Sequence, residues 1–518
     1  MKSKKLIYMM LSSALLLGSC DDFLDTMPDN RAEVNSIDKV TSLLVSAYPN
    51  HTSIMMTEMA SDNAMDNGEK YSIWGEDQED SYLWQDIKVS TSDSPKSFWD
   101  ACYSAIAAAN QALQAIDDMG NPEALQPQRG EALICRAYGH FALTTLFCMT
   151  YDPATAEKEL GLPYALAPET SVSPYYTRGN LAEVYAKIND DIEEGLPLIN
   201  DNIYKTPKYH FNRKAAYAFA ARFNLYYLKF DKVIEYANEV LGTVPEKLLR
   251  NWQAQNVLPG FKERVNGYIS SSENSNLLIN CSYSQHGLIV GPYSIAERYG
   301  SAMELLKSEL TWANGLWGAR SNLYPAQSFY GIEQKPANAK YDQFFQYTDK
   351  VASIGYRFAI PVLFTTDETL LCRAEAYALT NQPDKAVQDI NTWLKTHAIR
   401  YTAVSKEDVI DFYSKITETP SPVEDNKQRT VKKKLNPQGF TVTDGEMENL
   451  IHCILHLRRV ETLHDGLRWY DVKRYGIEIS HNKDGMEPEV LKMNDPRRAF
   501  QLPQDVINAG LQPNPRNN

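Results

Sequence analysis

The feature that most limits how this chain can fold is a helical hairpin that occurs twice. The first copy runs Ala221-Arg222-Phe223-Asn224-Leu225-Tyr226-Tyr227-Leu228, then Asp231-Lys232-Val233-Ile234-Glu235-Tyr236-Ala237. The second runs Cys372-Arg373-Ala374-Glu375-Ala376-Tyr377-Ala378-Leu379, then Asp384-Lys385-Ala386-Val387-Gln388-Asp389-Ile390. In each, an alanine-rich helix with an aromatic residue leads through a short polar turn into an amphipathic helix. Such a hairpin cannot bury its apolar faces alone, so the copies must pack on other helices into a curved layer. Long insertions lie between the copies.

The pattern is tetratricopeptide-like, and other helices can join the same layer. Trp99, Tyr103, Ile106, Asn110 and Leu113 recur at spacings of four and three, on one helix face. Another helix is expected near residues 128 to 148. A third opens with Asn180 and Glu183 at capping-box spacing and carries Leu181, Val184 or Tyr185, Ile188, Ile192 and Leu196 on one stripe. Between about 250 and 360, glycine, serine, asparagine and aromatic residues replace the helical periodicity. The expected fold class is therefore mainly α. Scattered tetratricopeptide-like helical hairpins pack into a curved scaffold over about 35–250 and 360–480, with a loop-rich irregular region inserted over about 250–360.

The amino terminus bears on location. Lys2, Lys4 and Lys5 precede an apolar run from Leu6 to Leu17, followed by Gly18, Ser19 and Cys20. The run is too short for a permanent membrane span and reads as a secretory signal over residues 1–19. A cysteine after Leu17-Gly18-Ser19 marks a bacterial lipoprotein, with Cys20 as the acylated first residue of a single domain over 20–518. The net charge of −14 becomes more acidic once the three signal lysines are removed. That argues against nucleic acid and against adsorption to an anionic membrane surface. The remaining cysteines form no CxxC pair and mostly sit in apolar helical runs, as expected of buried free thiols.

Catalytic signatures are missing: there is no G-x-S-x-G elbow, no P-loop, no dinucleotide fingerprint and no H-E-x-x-H. His452 and His456, four apart, could be drawn as a zinc pair, but their apolar surroundings favour core histidines. Asp62, Asp66 and Glu69 resemble calcium ligands, yet Ala64 stands where an oxygen is needed. No catalytic residue, metal or cofactor is expected. Aromatic rings on polar loops stand out instead. A Trp or Tyr ring stacks on the apolar C–H face of a sugar, while Asn, Asp, Arg and backbone groups bond its hydroxyls. Trp74, Trp84, Tyr293, Trp312 and Trp317 are the candidate carbohydrate-binding residues.

Several blocks together resemble the SusD/RagB-like outer-membrane lipoproteins of Gram-negative bacteria. They are Cys20-Asp21-Asp22-Phe23-Leu24-Asp25 with Pro28, Glu58 and Asp62, the Trp99-to-Asn110 helix, Glu131-Ala132 with Arg136-Ala137-Tyr138, and Gly161-Leu162-Pro163. The longest runs from Arg458-Arg459-Val460-Glu461 through His464-Asp465-Gly466-Leu467-Arg468-Trp469-Tyr470-Asp471 to Arg474, followed by Leu502-Pro503 and Leu511-Gln512-Pro513 near the end. Leu457, Thr462 and Asp465 depart from the usual residues of that longest block, which reads as a helix entering a turn with internally paired charges. The resemblance implies a non-enzymatic, lipid-anchored protein facing the cell exterior. It would hold an oligosaccharide and deliver it to a SusC-like TonB-dependent transporter. Asp21 and Asp22 resemble the acidic export signal of that family. Ligand-contacting aromatics share no motif across the family, so the five rings named above rest on ring chemistry alone. A surface glycoside hydrolase, and a peptide-binding or scaffold component of the transporter complex, are the alternatives.

Overall fold

A computed structural model describes residues 34–169, 176–292, 297–326, 329–332, 335–483 and 486–516; Cys20 and Tyr293 lie outside them. The chain is mainly helical. Its scaffold is built from α1 (Pro95–Asp118), α2 (Gln126–Phe147), α3 (Leu181–Gly195), α4 (Arg213–Tyr226), α5 (Phe230–Leu241), α6 (Thr366–Leu379), α7 (Pro383–His397), α8 (Glu446–Glu461) and α9 (Arg468–Arg474). Sequence neighbours pack in pairs, and α5 lies against α6 although more than a hundred residues separate them. The two hairpin copies are thus adjacent in one layer, and α8 packs on α6 from the other side. Local signals start the helices. Ser94 caps α1 by accepting from the Ser97 amide, with Pro95 in the first turn. Asn180 caps α3 by accepting from the Glu183 amide.

The layer repeats a polar lock as well as an apolar pattern. Arg136 of α2 donates from Nε and Nη2 to the Asp191 carboxylate of α3 at 2.8 and 2.6 Å, and from Nη1 to Asn110 Oδ1 of α1 at 3.0 Å. Arg373 of α6 repeats this atom for atom, with Asp389 of α7 at 2.9 and 2.6 Å and Asn238 of α5 at 2.8 Å. In each case one planar guanidinium ties three successive helices together. Arg222 of α4 departs from the pattern. It donates to Glu368 of α6 and to the Leu363 carbonyl, clamping the strand that feeds α6.

The block from Arg458 to Arg474 is buried, and its charges reach well beyond the block. Arg468 donates to both oxygens of Asp62 at 2.8 and 2.9 Å, and Arg459 donates to Glu309 at 2.5 Å. The amides of His464 and Gly466 donate to Glu58. Gly466 has φ +70°, and a Cβ there would meet Thr57 Oγ1 at 2.2 Å, so the turn needs glycine. Two of the acids that resembled calcium ligands are engaged by arginines: Asp62 by Arg468, and Asp66 by Arg298. The described cysteines are free thiols; all are buried except Cys281.

Short strands occupy the region between α5 and α6. β1 (Asn276–Ile279) pairs antiparallel with β5 (Val362–Thr365). β2 (Ser282–Tyr283) pairs with β4 (Ile354–Ala359), which forms a hairpin with β3 (Phe344–Asp349).

Candidate functional site

Three of the expected rings are interior. Trp84 is buried, stacks on His481 with centroids 4.2 Å apart, and donates its indole N–H to the Ala60 carbonyl. Trp312 is buried with the Arg320 guanidinium 3.4 Å from its ring centroid. Trp317 is buried between His456, at 5.0 Å, and Trp393, at 6.1 Å. These rings pack the underside of loops, and the expectation of exposed platforms does not hold for them. Apolar area left by a polar-looking loop is still driven to burial when a neighbouring helix offers a surface.

Trp74 is different. It is 39% exposed, and its indole N–H donates to Gln285 Oε1 at 3.3 Å. Arg357 of β4 donates to the same oxygen at 3.4 Å. The turn that carries Gln285 is pinned from below by Asp93, which accepts from the Ser284 hydroxyl at 2.5 Å and the Gln285 amide at 2.8 Å. Burial pushes the Asp93 carboxyl up to about 7, against the opposing hydrogen bonds.

The β3–β4 hairpin supplies rings that the sequence reading missed. Its register pairs Phe345 with Arg357 and Tyr347 with Gly355, so these four share one face. Phe345 and Tyr347 lie 4.8 Å apart, and Tyr347 is 53% exposed. Gly355 is required beneath them: a Cβ there would lie 2.1 Å from the Gln346 carbonyl and 2.7 Å from the Phe345 ring. The other face carries Tyr356, which is 58% exposed and 5.5 Å from Tyr283, which in turn lies 5.5 Å from His51. The signal was present as two aromatic runs, 344–347 and 354–358, flanking Asp349-Lys350. Together with Trp74, the hairpin presents aromatic faces beside an amide and a guanidinium, which suits a ligand with apolar faces and hydroxyl edges.

The enclosed spaces are less suited. A cavity of about 90 Å³ lies inward of His51, lined by Thr57, Tyr226, Ser282, Glu368 and Tyr470. It has room for only a few waters. Tyr226 OH and Ser282 Oγ are buried there with no hydrogen-bond partner among the described residues. A larger groove of about 560 Å³ is lined by Glu418, Ser421, Arg429, Lys433, Glu478 and Ser480 and has no ring in its wall. His452 and His456 do not converge: Nδ1 of His456 faces the Tyr413 hydroxyl at 3.0 Å, while His452 Nε2 faces Glu448 at 3.8 Å. Among the described residues no helix is long and apolar enough to cross a membrane.

Comparison with known proteins agrees with this architecture. Residues 22–225 match a SusD-like family model described as starch-binding and associating with the outer membrane. Among solved structures, a SusD superfamily protein from Bacteroides thetaiotaomicron is 17% identical with a TM-score of 0.60, covering 93% of this chain and 100% of its own. A SusD-like carbohydrate-binding protein from Bacteroides vulgatus is 15% identical with a TM-score of 0.59, covering 91% and 96%. A SusD superfamily protein from Bacteroides fragilis is 15% identical with a TM-score of 0.60, again covering 91% and 96%. No curated protein matches the chain in sequence. The chain thus shares the SusD-like fold over nearly its whole length and resembles the SusD-like family in sequence over residues 22–225.

Proposed function

We propose that this chain is a non-catalytic glycan-binding lipoprotein of the outer membrane. Acylated at Cys20 and facing the cell exterior, it captures an oligosaccharide and delivers it to a SusC-like TonB-dependent transporter. The observation that carries the reading is the exposed aromatic surface of Trp74, Phe345 and Tyr347 around Gln285 and Arg357. Exposed rings on a rigid hairpin lose little conformational freedom when a sugar stacks on them, and the neighbouring polar groups bond its edge. The matching family, starch-binding, and the Bacteroides vulgatus protein, carbohydrate-binding, point the same way. Tyr293 stays within the proposal as a candidate ring; Trp84, Trp312 and Trp317 are buried.

The test is calorimetric titration of the full chain, kept soluble in detergent, against a panel of oligosaccharides. Binding without release of reducing ends is expected, and Trp74→Ala or Tyr347→Ala should weaken it while the fold is unchanged. A panel with no ligand, or affinity untouched by both substitutions, would overturn the reading. Release of reducing ends would favour the hydrolase alternative.

A further inference from the structure

Away from the aromatic surface, one cluster of metal-binding type contains a polar atom that the fold leaves unsatisfied. Glu448 and His452 lie one turn apart on α8, and Glu418 reaches them from the segment that follows the helix Lys406–Ser414. One oxygen of each carboxylate and one ring nitrogen of His452 lie within 4.8 Å of one another. His452 Nε2 stands 3.8 Å from the Glu448 carboxylate, too far for a hydrogen bond. The His452 side chain is 2% exposed, and Nε2 has no hydrogen-bond partner among the described residues. A buried nitrogen aimed at two carboxylates and bonded to neither calls for an explanation.

The other such cluster provides the contrast. In Asp367, His397 and Glu461, the His397 Nε2 hydrogen-bonds Glu461 at 2.7 Å, and Nδ1 faces the Trp393 carbonyl at 2.9 Å. Trp393 and the Arg250 amide complete the two carboxylates. That cluster is closed and fully buried, with every donor answered.

We propose that Glu418, Glu448 and His452 bind one divalent transition-metal ion of the zinc class. One imidazole nitrogen and two carboxylate oxygens form a ligand set that zinc accepts, with a fourth position for water. Calcium and magnesium prefer all-oxygen sets and are disfavoured here. Zinc–ligand bonds of about 2.0–2.2 Å place tetrahedral donors about 3.3–3.6 Å apart. Glu418 is exposed and Glu448 partly so, which lets both acids swing onto a nitrogen fixed by burial. The two carboxylates offset the dication beside Lys432 and Arg468. Glu418 is also part of the wall of the 560 Å³ groove, so the ion ties that wall to α8.

The experiment uses the full chain in detergent, stripped with a chelator and titrated with zinc chloride and, separately, calcium chloride, with no glycan present. One equivalent of zinc is expected, bound more tightly than calcium, with a rise in Tm. Loss of even an outer partner of a metal site lowers affinity about ten- to a hundredfold; Glu418→Gln and Glu448→Gln should each do at least that. Glu418→Gln changes an exposed side chain, so its metal-free Tm should equal that of the parent. Absence of stoichiometric zinc binding, zinc binding indifferent to both substitutions, or calcium bound as tightly as zinc would each overturn the proposal.

Discussion

The α8–α9 block and the β3–β4 hairpin use aromatic residues in opposite ways. In and around the block, rings lie inside a charged lattice. Trp393 is fully buried, stacks on His397 at 3.8 Å and donates its indole N–H to Glu461 at 3.0 Å. Trp469 is likewise buried, in the same helix as Arg468, Asp471 and Arg474. On the hairpin, Tyr347 and Tyr356 stand on opposite faces of a two-stranded projection and both meet solvent. The difference lies in the backbone. A helix offers one stripe to a neighbour and buries it, whereas a hairpin with little packed against its tip exposes both faces of its pleat. Aromatic density alone therefore does not distinguish a binding platform from core.

The comparison breaks most forcefully in the block. Arg458 is fully buried beside Asp471, at 3.0 Å, with Glu368 and Glu375 nearby. Arg458→Ala removes a buried partner that those carboxylates share with Arg222 and Arg474, and should cost about 3–5 kcal/mol in urea unfolding. A loss under 1 kcal/mol would mean that the lattice is not the structural element described. Trp317→Ala, in the core rather than on a platform, should cost about 3–5 kcal/mol of stability. If it instead lowers glycan affinity in a protein of unchanged stability, the ring belongs to the binding surface after all.

Acid titration probes the buried polar groups of the scaffold. His140 lies between the Arg136 carbonyl, on Nδ1 at 2.9 Å, and the Ala165 amide, which donates to Nε2 at 3.1 Å. Burial holds His140 down to about 3, and His456 likewise. An unfolded histidine takes up its proton near pH 6.5. The stabilisation is therefore complete above about pH 6.5 and is lost progressively toward pH 3, at roughly 1.4 kcal/mol per pH unit for each group. Unfolding free energy measured between pH 7 and 4 should fall, and His140→Gln should make the fall shallower. The smallest effect belongs to the hairpin side. Trp74→Ala should change stability by no more than about 0.5 kcal/mol while weakening glycan binding by about 1 kcal/mol. Equal losses in stability and affinity would erase the distinction between the two regions.

Much of the scaffold could be read from residue spacing. The Trp99-to-Leu113 stripe, the cap at Asn180 and the two hairpin copies each rest on contacts within a few residues, which is the range over which sequence specifies structure directly. The proposed binding surface was less legible. Trp74 was singled out correctly as exposed, but Trp84, Trp312 and Trp317 occupy similar-looking stretches and are interior. Trp84 and Trp317 pack on His481 and Trp393, partners from distant parts of the chain, while Trp312 packs on Arg320, eight residues away. The aromatic alternation of β3 and β4 was available in the sequence, and treating residues 250–360 as irregular concealed it. The charges of the Arg458-to-Arg474 block are paired, as expected, but their partners include Asp62, Glu309 and Glu375, far away in sequence.

By itself the sequence determined the helices, their hairpin pairing and the need for a shared layer, because those follow from local periodicity and from apolar faces that must be covered. Only the tertiary structure decided which rings meet solvent, that Arg136 and Arg373 make the same lock, and that His452 turns toward Glu418 and Glu448 instead of His456. Each of those outcomes depends on which distant segment arrives as a neighbour, and burial and electrostatics act only once it has arrived.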